Sequence, residues 1–167
     1  MNLSGMTPIS LYIRPAQPSD EAFFAELYRS TRDDLRTLLA DPRYIEGLIA
    51  AQRDAQVAGY RARYPAAVCE VLELDGVAAG RLVTAAVDGA LRVVDIAVMP
   101  RARGRGVAGE ALRRVQRRAA REGRDVTLGV RMDNPGARRL YAALGFVSED
   151  EEGASLQLRW TAPGAKP

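Results

Sequence analysis

Two Asp-Gly pairs, Asp75-Gly76 and Asp88-Gly89, divide the middle of the chain into three apolar runs, AVCEVLEL, VAAGRLVTAAV and ALRVVDIAVM. Such a pair supplies the two positive-φ residues of a two-residue type I′ turn, whose twist matches that of the strands it joins. The three runs are therefore predicted to form an antiparallel meander. A chain with such a meander at its centre is a poor candidate for a doubly wound, all-parallel sheet.

The flanking segments alternate helix and strand. SLYIRPA alternates apolar and polar residues and is expected to be a first strand. PSDEAFFAELYRST is expected to be a helix capped by Ser19, with Asp20 and Glu21 in its first turn and Phe23, Leu27 and Tyr28 on one face. A second helix starts with Asp41 as cap and Pro42 in the first helical position. Its inward stripe runs Ile45, Leu48, Ile49 and then turns polar at Gln52, Gln56 and Tyr60. Those three residues either face solvent or line a pocket for a substrate. Further on, Ala108, Ala111, Leu112, Val115 and Ala119 mark a helix ending at Gly123, followed by the strand DVTLGVRM and a short helix in NPGARRLYAALGF stopped by Gly145. A strand from Phe146, an acidic turn and a last strand ASLQLRW complete the order, and TAPGAKP is expected to be a frayed tail. At 167 residues, one domain spanning 1–167 is expected.

Composition removes several chemistries. The chain has no histidine, which excludes Ser-His-Asp and Cys-His catalysis and most zinc sites, so no metal is expected. A general base has to be a carboxylate, a tyrosine, a chain terminus or ordered water. Cys69 is the single cysteine and is read as packing. No apolar run is long enough to cross a bilayer and no secretory opening is visible, so a cytoplasmic protein is expected. The net charge is +3, almost all of the basic residues are arginine, and acidic residues are interspersed throughout. That balance fits a small anionic ligand better than a nucleic acid.

The segment VMPRARGRGVAGEAL, residues 98–112, lies between the third meander strand and a helix. It contains Gly104, Gly106 and Gly109 at the spacing of a dinucleotide loop, but a dinucleotide fold needs this loop after the first strand of a parallel unit. Here two hairpins precede it and too little chain follows. No Gly-Lys-Ser/Thr is present for a Walker loop. What survives is a cradle of backbone N–H groups at a helix N-terminus, suited to a pyrophosphate.

These residues resemble the acyl-CoA-binding segment of the GNAT superfamily of N-acetyltransferases, with its Gln/Arg-x-x-Gly-x-Gly/Ala pattern after an apolar-Ala-Val-x-Pro phrase. VRMDNPGARRLYAALGF resembles the second signature of that family: an asparagine, an alanine three residues on, a tyrosine seven residues on, then Gly-Phe. The resemblance implies an α/β (α+β) fold, a mixed, mostly antiparallel sheet of six to seven strands flanked by about four helices and splayed at the cofactor site. It favours Arg103-x-x-Gly106-x-Ala108 over the alternative starting at Arg101. By the same carry-over, amides of Gly104, Arg105, Gly106, Val107, Ala108 and Gly109 hold the CoA pyrophosphate. Arg101, Arg103 and Arg105 either add charge to phosphates or are solvated surface. Ile96, Ala97 and Val98 flank the pantetheine arm, with backbone groups of Ile96 and Val98 pairing with its amides. Asn134 contacts the cofactor arm, caps the helix before Pro135, or does both.

The implied reaction is direct acetyl transfer from acetyl-CoA to a primary amine, with Tyr141 protonating the leaving thiolate. The base is less clear-cut. Gly129 stands where ribosomal-protein alanine acetyltransferases carry a glutamate, and Val94 where diamine acetyltransferases carry one. Asp95 is the nominee, with Glu70 and Glu73 as alternatives. A noncatalytic acyl-CoA-binding module is the competing reading, and family habit adds a homodimer as an option.

Overall fold

The computed structural model describes residues 9–164. Its strands are β1 (Leu11–Pro15), β2 (Val68–Leu74), β3 (Val77–Val87), β4 (Ala90–Val98), β5 (Val126–Arg131), β6 (Val147–Glu152) and β7 (Ser155–Trp160). The helices are α1 (Glu21–Ser30), α2 (Asp33–Arg36), α3 (Pro42–Arg63), α4 (Val107–Arg121) and α5 (Pro135–Ala143). The strands form one sheet in the order β1-β2-β3-β4-β5-β7-β6, antiparallel throughout except between β4 and β5. The meander forms as expected, and both turns carry positive φ at both residues: Asp75 53°, Gly76 79°, Asp88 49° and Gly89 79°.

Helix α4 covers one face of the sheet. Val107, Ala111, Leu112, Val115 and Ala119 recur at helical spacing and are buried against Leu72, Leu82, Val93, Val126 and Leu128. Burying a large aliphatic side chain of this kind is worth about 1.5–3 kcal/mol. On the other face lie α1 and α3, with α1 against β3 and α3 packed on α1. Phe24, Leu27, Ile45 and Ile49 are their buried residues. Asp41 caps α3 by accepting the Arg43 N–H at 2.8 Å.

Three local expectations change. Ser19 does not cap α1. A 3₁₀ turn, Pro18–Asp20, precedes that helix, and the buried Asp20 carboxylate accepts the Gln17 N–H at 2.8 Å and both terminal nitrogens of Arg14 at 2.8 Å. The Arg14 guanidinium, helped by the Gln17 amide, holds the Asp20 carboxyl at about 2. Arg14 also grips Glu73 of β2 at 2.6 Å, so the start of α1 is tied to the sheet by side chains. Secondly, the acidic run expected as a turn is most of β6, whose six residues are all exposed. Charge is tolerated there because β6 is an edge strand, and charge protects such an edge from further pairing. Thirdly, the chain beyond Trp160 stays attached for two residues: Ala162 is buried and donates its N–H to Asp125 Oδ1 at 3.0 Å. Pro163 and Gly164 form a turn, and the last three residues of the expected tail, 165–167, lie outside the described residues.

The sheet carries a one-residue bulge in β4. Thr84 pairs with Val93 but Val83 pairs with Asp95, leaving Val94 as the extra residue. Beyond the bulge β3 and β4 lie very close: a Cβ on Gly80 would sit 2.5 Å from the Ala97 carbonyl oxygen. Gly80→Ala is expected to cost about 1–3 kcal/mol through that clash. Gly47, exposed in the interior of α3 with nothing within 4 Å of an added methyl, is the control. Gly47→Ala should instead gain about 0.5–1 kcal/mol. Urea denaturation of the two variants checks the opposite signs, and a Gly80→Ala protein as stable as the parent would contradict the close approach.

Candidate functional site

Strands β4 and β5 pair only over Leu91–Val126, Arg92–Thr127 and Val93–Leu128. From the bulge at Val94 onward they part, so Asp95 to Val98 and Gly129 to Arg131 face each other without ladder pairing. Exposed strand-edge groups in such a cleft can accept an extended ligand as an added strand. Ile96 and Val98 pack towards the α4 side, while Asp95 and Ala97 lie opposite Val83 and Arg81 on the α3 side.

The glycine-rich loop closes one end of the cleft. Gly104 and Gly106 have φ of 72° and 81°, values that other residues adopt only with strain. Among the described residues, none of the backbone N–H groups from Gly104 to Gly109 makes a short, well-aligned hydrogen bond to a protein acceptor. Six successive free amides at the start of a 15-residue helix make an anion site. They line a cavity of about 820 Å³ together with Val98, Arg103, Arg105, Arg113, Ala137 and Leu140. Glu110, a carboxylate in this lining, is fenced by Arg113, Arg114 and Arg117 at 3.7, 3.1 and 3.0 Å. The neighbouring arginines have separate jobs. Arg101 donates to the Ala78 carbonyl and Arg105 pairs with Asp75 at 3.0 Å, fastening the loop to the β2–β3 turn. Arg103 donates to the Val98 carbonyl at 3.1 Å while still lining the cavity.

On the opposite face a second cavity of about 690 Å³ lies between α1, α3 and the sheet. Phe24, Val57, Tyr60 and Val83 form apolar parts of its wall, and Arg53 and Arg81 line it as well. The Arg81 guanidinium reaches Asp95 Oδ2 through Nε at 3.1 Å and Nη2 at 2.6 Å, and rests 5.7 Å from the Phe24 ring centroid. Burial, and then the charge of Asp95 partly opposed by Arg81, pushes Tyr60 up to about 12. Burial pushes the Cys69 thiol up as well, so this cavity-lining cysteine stays protonated near neutral pH. Of the polar stripe on α3, Tyr60 lines the cavity but Gln52 and Gln56 do not. Gln52 accepts a hydrogen bond from Arg32, and the Gln56 Oε1 is buried without a partner.

Tyr141, on α5, belongs to the core cluster that packs with α4 and lines neither cavity. It is 8% exposed, packs edge-on against Phe146 with ring centroids 5.9 Å apart, and its hydroxyl has no hydrogen-bond partner among the described residues. Burial, followed by the Asp95 charge, raises its pKa above the ordinary tyrosine value. Asn134 caps α5, accepting the Ala137 N–H at 3.1 Å. At Gly129 a side chain would meet Gln157 at 3.3 Å and Arg92 at 3.4 Å, a pair hydrogen-bonded to each other at 3.0 Å. The neighbourhood of a glutamate there is occupied by a different polar pair. Glu73 is engaged by Arg14, and neither Glu70 nor Glu73 lines either cavity.

Sequence reasoning missed Arg53, Arg81 and Phe24 on the α3 side, and Arg113 in the cradle. The meander turn alone, without the bulge, would set Arg81 opposite Ile96 and leave Asp95 on the other face. Arg113 was within reach of inspection, because it lies one helical turn beyond Gly109.

Among the described residues no cluster of histidine, cysteine or carboxylate side chains could hold a metal, and no helix is long and apolar enough to cross a membrane. No curated protein sequence matches the chain. Solved structures with similar folds share little sequence with it. The PaiA N-acetyltransferase of Thermoplasma acidophilum, solved with coenzyme A, superposes with a TM-score of 0.69 at 15% identity, covering 91% of this chain and 99% of that one. YncA, a putative acetyltransferase of Salmonella typhimurium solved with acetyl-CoA, gives 0.58 at 18% identity over 93% and 95% of the two chains. The ribosomal-protein-S5-alanine acetyltransferase of Vibrio fischeri gives 0.63 at 17% identity over 94% and 96%. These likenesses establish the fold. The sequence model of the acetyltransferase (GNAT) family matches residues 21–146, from the first residue of α1 to the Gly-Phe phrase, and the chain belongs to that family.

Proposed function

We propose that this protein is an acetyl-CoA-dependent N-acetyltransferase that acetylates a primary amine by direct transfer. The observation that carries the reading is the cleft between β4 and β5. It has a cradle of free amides at one end and cavities on both faces of the sheet. The cradle fits a pyrophosphate by its own features, namely positive φ at Gly104 and Gly106, unpartnered N–H groups and the surrounding arginines. Bound acetyl-CoA would supply an acetyl thioester, which an amine converts to an amide with release of the thiol.

The chain's own residues divide that work. Amides of Gly104 to Gly109 hold the pyrophosphate, with Arg103 and Arg113 adding charge at the cavity wall. The free edges of Ile96, Ala97 and Val98 align the pantetheine arm as a strand would be aligned. Tyr141 donates a proton from its unpartnered hydroxyl to the departing sulfur, and Asn134 keeps α5, and so Tyr141, in register with the cleft. Asp95, on the acceptor side, takes up the proton lost by the amine directly or through water. The acceptor enters from the α3 side, where Tyr60 lines the cavity. An acyl-CoA-binding module without turnover is the second reading, favoured by Gly129 and by the Arg81 grip on Asp95.

Thiol release from acetyl-CoA across a broad panel of amines tests the two readings, since only the transferase releases thiol. Tyr141→Phe is expected to lower kcat by about 10²-fold or more with little change in KM for acetyl-CoA, the range for loss of a general acid. Unaltered kcat would remove Tyr141 from that role. Because the Tyr141 pKa is raised, its proton is retained throughout the neutral and mildly alkaline range. The kcat/KM profile should therefore rise with pH as the acceptor amine deprotonates, with no descending limb in the neutral and mildly alkaline range. A descending limb near pH 8 would contradict the assignment. Gly106→Val, which forces a β-branched residue to a φ of 81°, should weaken CoA binding at least tenfold by calorimetry.

A further inference from the structure

Resting on that reading, we infer that the acceptor is an α-amino carboxylate with an apolar or aromatic side chain, its carboxylate held by Arg81 and Arg53. The charges of the 690 Å³ cavity are sorted by depth. The Arg81 residue is 7% exposed and the Arg53 side chain 14%, whereas the lining carboxylates stand at the rim: the Glu21 side chain is 67% exposed and Asp54 is exposed. Both guanidinia are ion-paired, Arg81 to Asp95 and Arg53 to Glu21, and each keeps donors to spare. A ligand that enters deeply meets guanidinium donors, while the lining carboxylate Asp54 stays exposed at the rim.

Both guanidinia keep unused donors. Arg81 spends Nε and Nη2 on a single oxygen of Asp95, and its Nη1 makes no hydrogen bond among the described residues. Arg53 pairs with Glu21 through Nη2, while its Nε is buried with no acceptor. A buried donor without an acceptor is unfavourable, and the Arg53 head is relieved by turning towards a ligand carboxylate, since its Nε is closed to solvent as it stands. A second ammonium, as in a polyamine, finds no free carboxylate inside, because Asp95 is already bound to Arg81.

Distance narrows the class. The reacting amine has to lie beside Asp95 at the cleft, and Asp95 is 2.6 Å from Arg81. An amine next to one and a carboxylate next to the other are then separated by about one carbon, as in an α-amino acid. Phe24, Val57 and Tyr60 supply a wall for an apolar side chain.

The test compares L-phenylalanine, its amide, 2-phenylethylamine and spermidine as acceptors by thiol release. In parallel, calorimetry in the presence of CoA compares binding of N-acetyl-L-phenylalanine with that of N-acetyl-2-phenylethylamine. L-Phenylalanine should exceed the other three at least tenfold in kcat/KM, and its N-acetyl product should bind at least tenfold more tightly than the decarboxylated analogue. Arg53→Gln should bring both ratios towards one. Thiol release with 2-phenylethylamine or spermidine equal to or above that with L-phenylalanine overturns the inference and leaves the transferase reading standing. No release with any amine, but selective binding of the N-acetyl amino acid, supports the carboxylate site and counts against the transferase. Neither release nor selective binding overturns both.

Discussion

Strand β4 hydrogen-bonds to β5 as far as Val93 and no further, because the extra residue at Val94 bends it out of the parallel ladder. The bend is held from the other side. Gly80 admits the Ala97 carbonyl at a distance no side chain would allow, so the end of β4 remains attached to β3 while it leaves β5. The cleft is thus a property of two backbones. Side chains decorate it but do not open it.

The same bulge sorts the chemistry by face. One residue of slippage brings Arg81 and Asp95 to the same side of the sheet and sends Ile96 and Val98 to the side where α4 packs. The cradle and Tyr141 then belong with α4 and α5, and the arginine-lined cavity belongs with α1 and α3. In the proposed reaction donor and acceptor approach from opposite faces and meet in the gap between β4 and β5. The displaced end of β4 is still held, because β2 and β3 pair from Val68–Thr84 to Leu74–Val77 with one shift of their own at Leu72/Glu73, and the core residues Leu72 and Leu82 are buried.

Features governed by local chemistry were legible in the sequence. Asp-Gly pairs specify a turn whatever surrounds them, and Asp41-Pro42 begins a helix by its own hydrogen bond and fixed φ. The cradle glycines were legible for the same reason. Ser19 misled because Arg14, distant from Asp20 in structural role though close in sequence, recruits that carboxylate and draws the chain into a 3₁₀ turn. Gln52 looked available for a substrate, yet Arg32 uses it, a partnership that depends on how α1 and α3 cross. The resemblance implied a splay at the cofactor site, but no residue marked where the bulge falls, since Val94 stands in an ordinary β-branched run. Arg81 as a partner of Asp95 was hidden with it. The acidic strand β6 was hidden because strand propensity reflects burial on a pleated face, and an edge strand exposed at every residue escapes that rule.

A chain without histidine has little acid–base capacity to bring to an acyl transfer, and here Asp95, the carboxylate on β4, shares an oxygen with an arginine. General acid–base catalysis contributes about 10²–10⁴-fold, whereas holding two reactants in an attack geometry corresponds to effective molarities of about 10⁵–10⁸ M. For a site built this way the larger share has to come from position. That ranks the residues differently from a search for a catalytic base: in the proposed reaction Gly80, Gly104 and Gly106, which react with nothing, would control where the thioester lies. Asp95 would then matter as much for fixing Arg81 as for the proton it receives in the proposed reaction, since a guanidinium without its carboxylate would be left buried and free to swing.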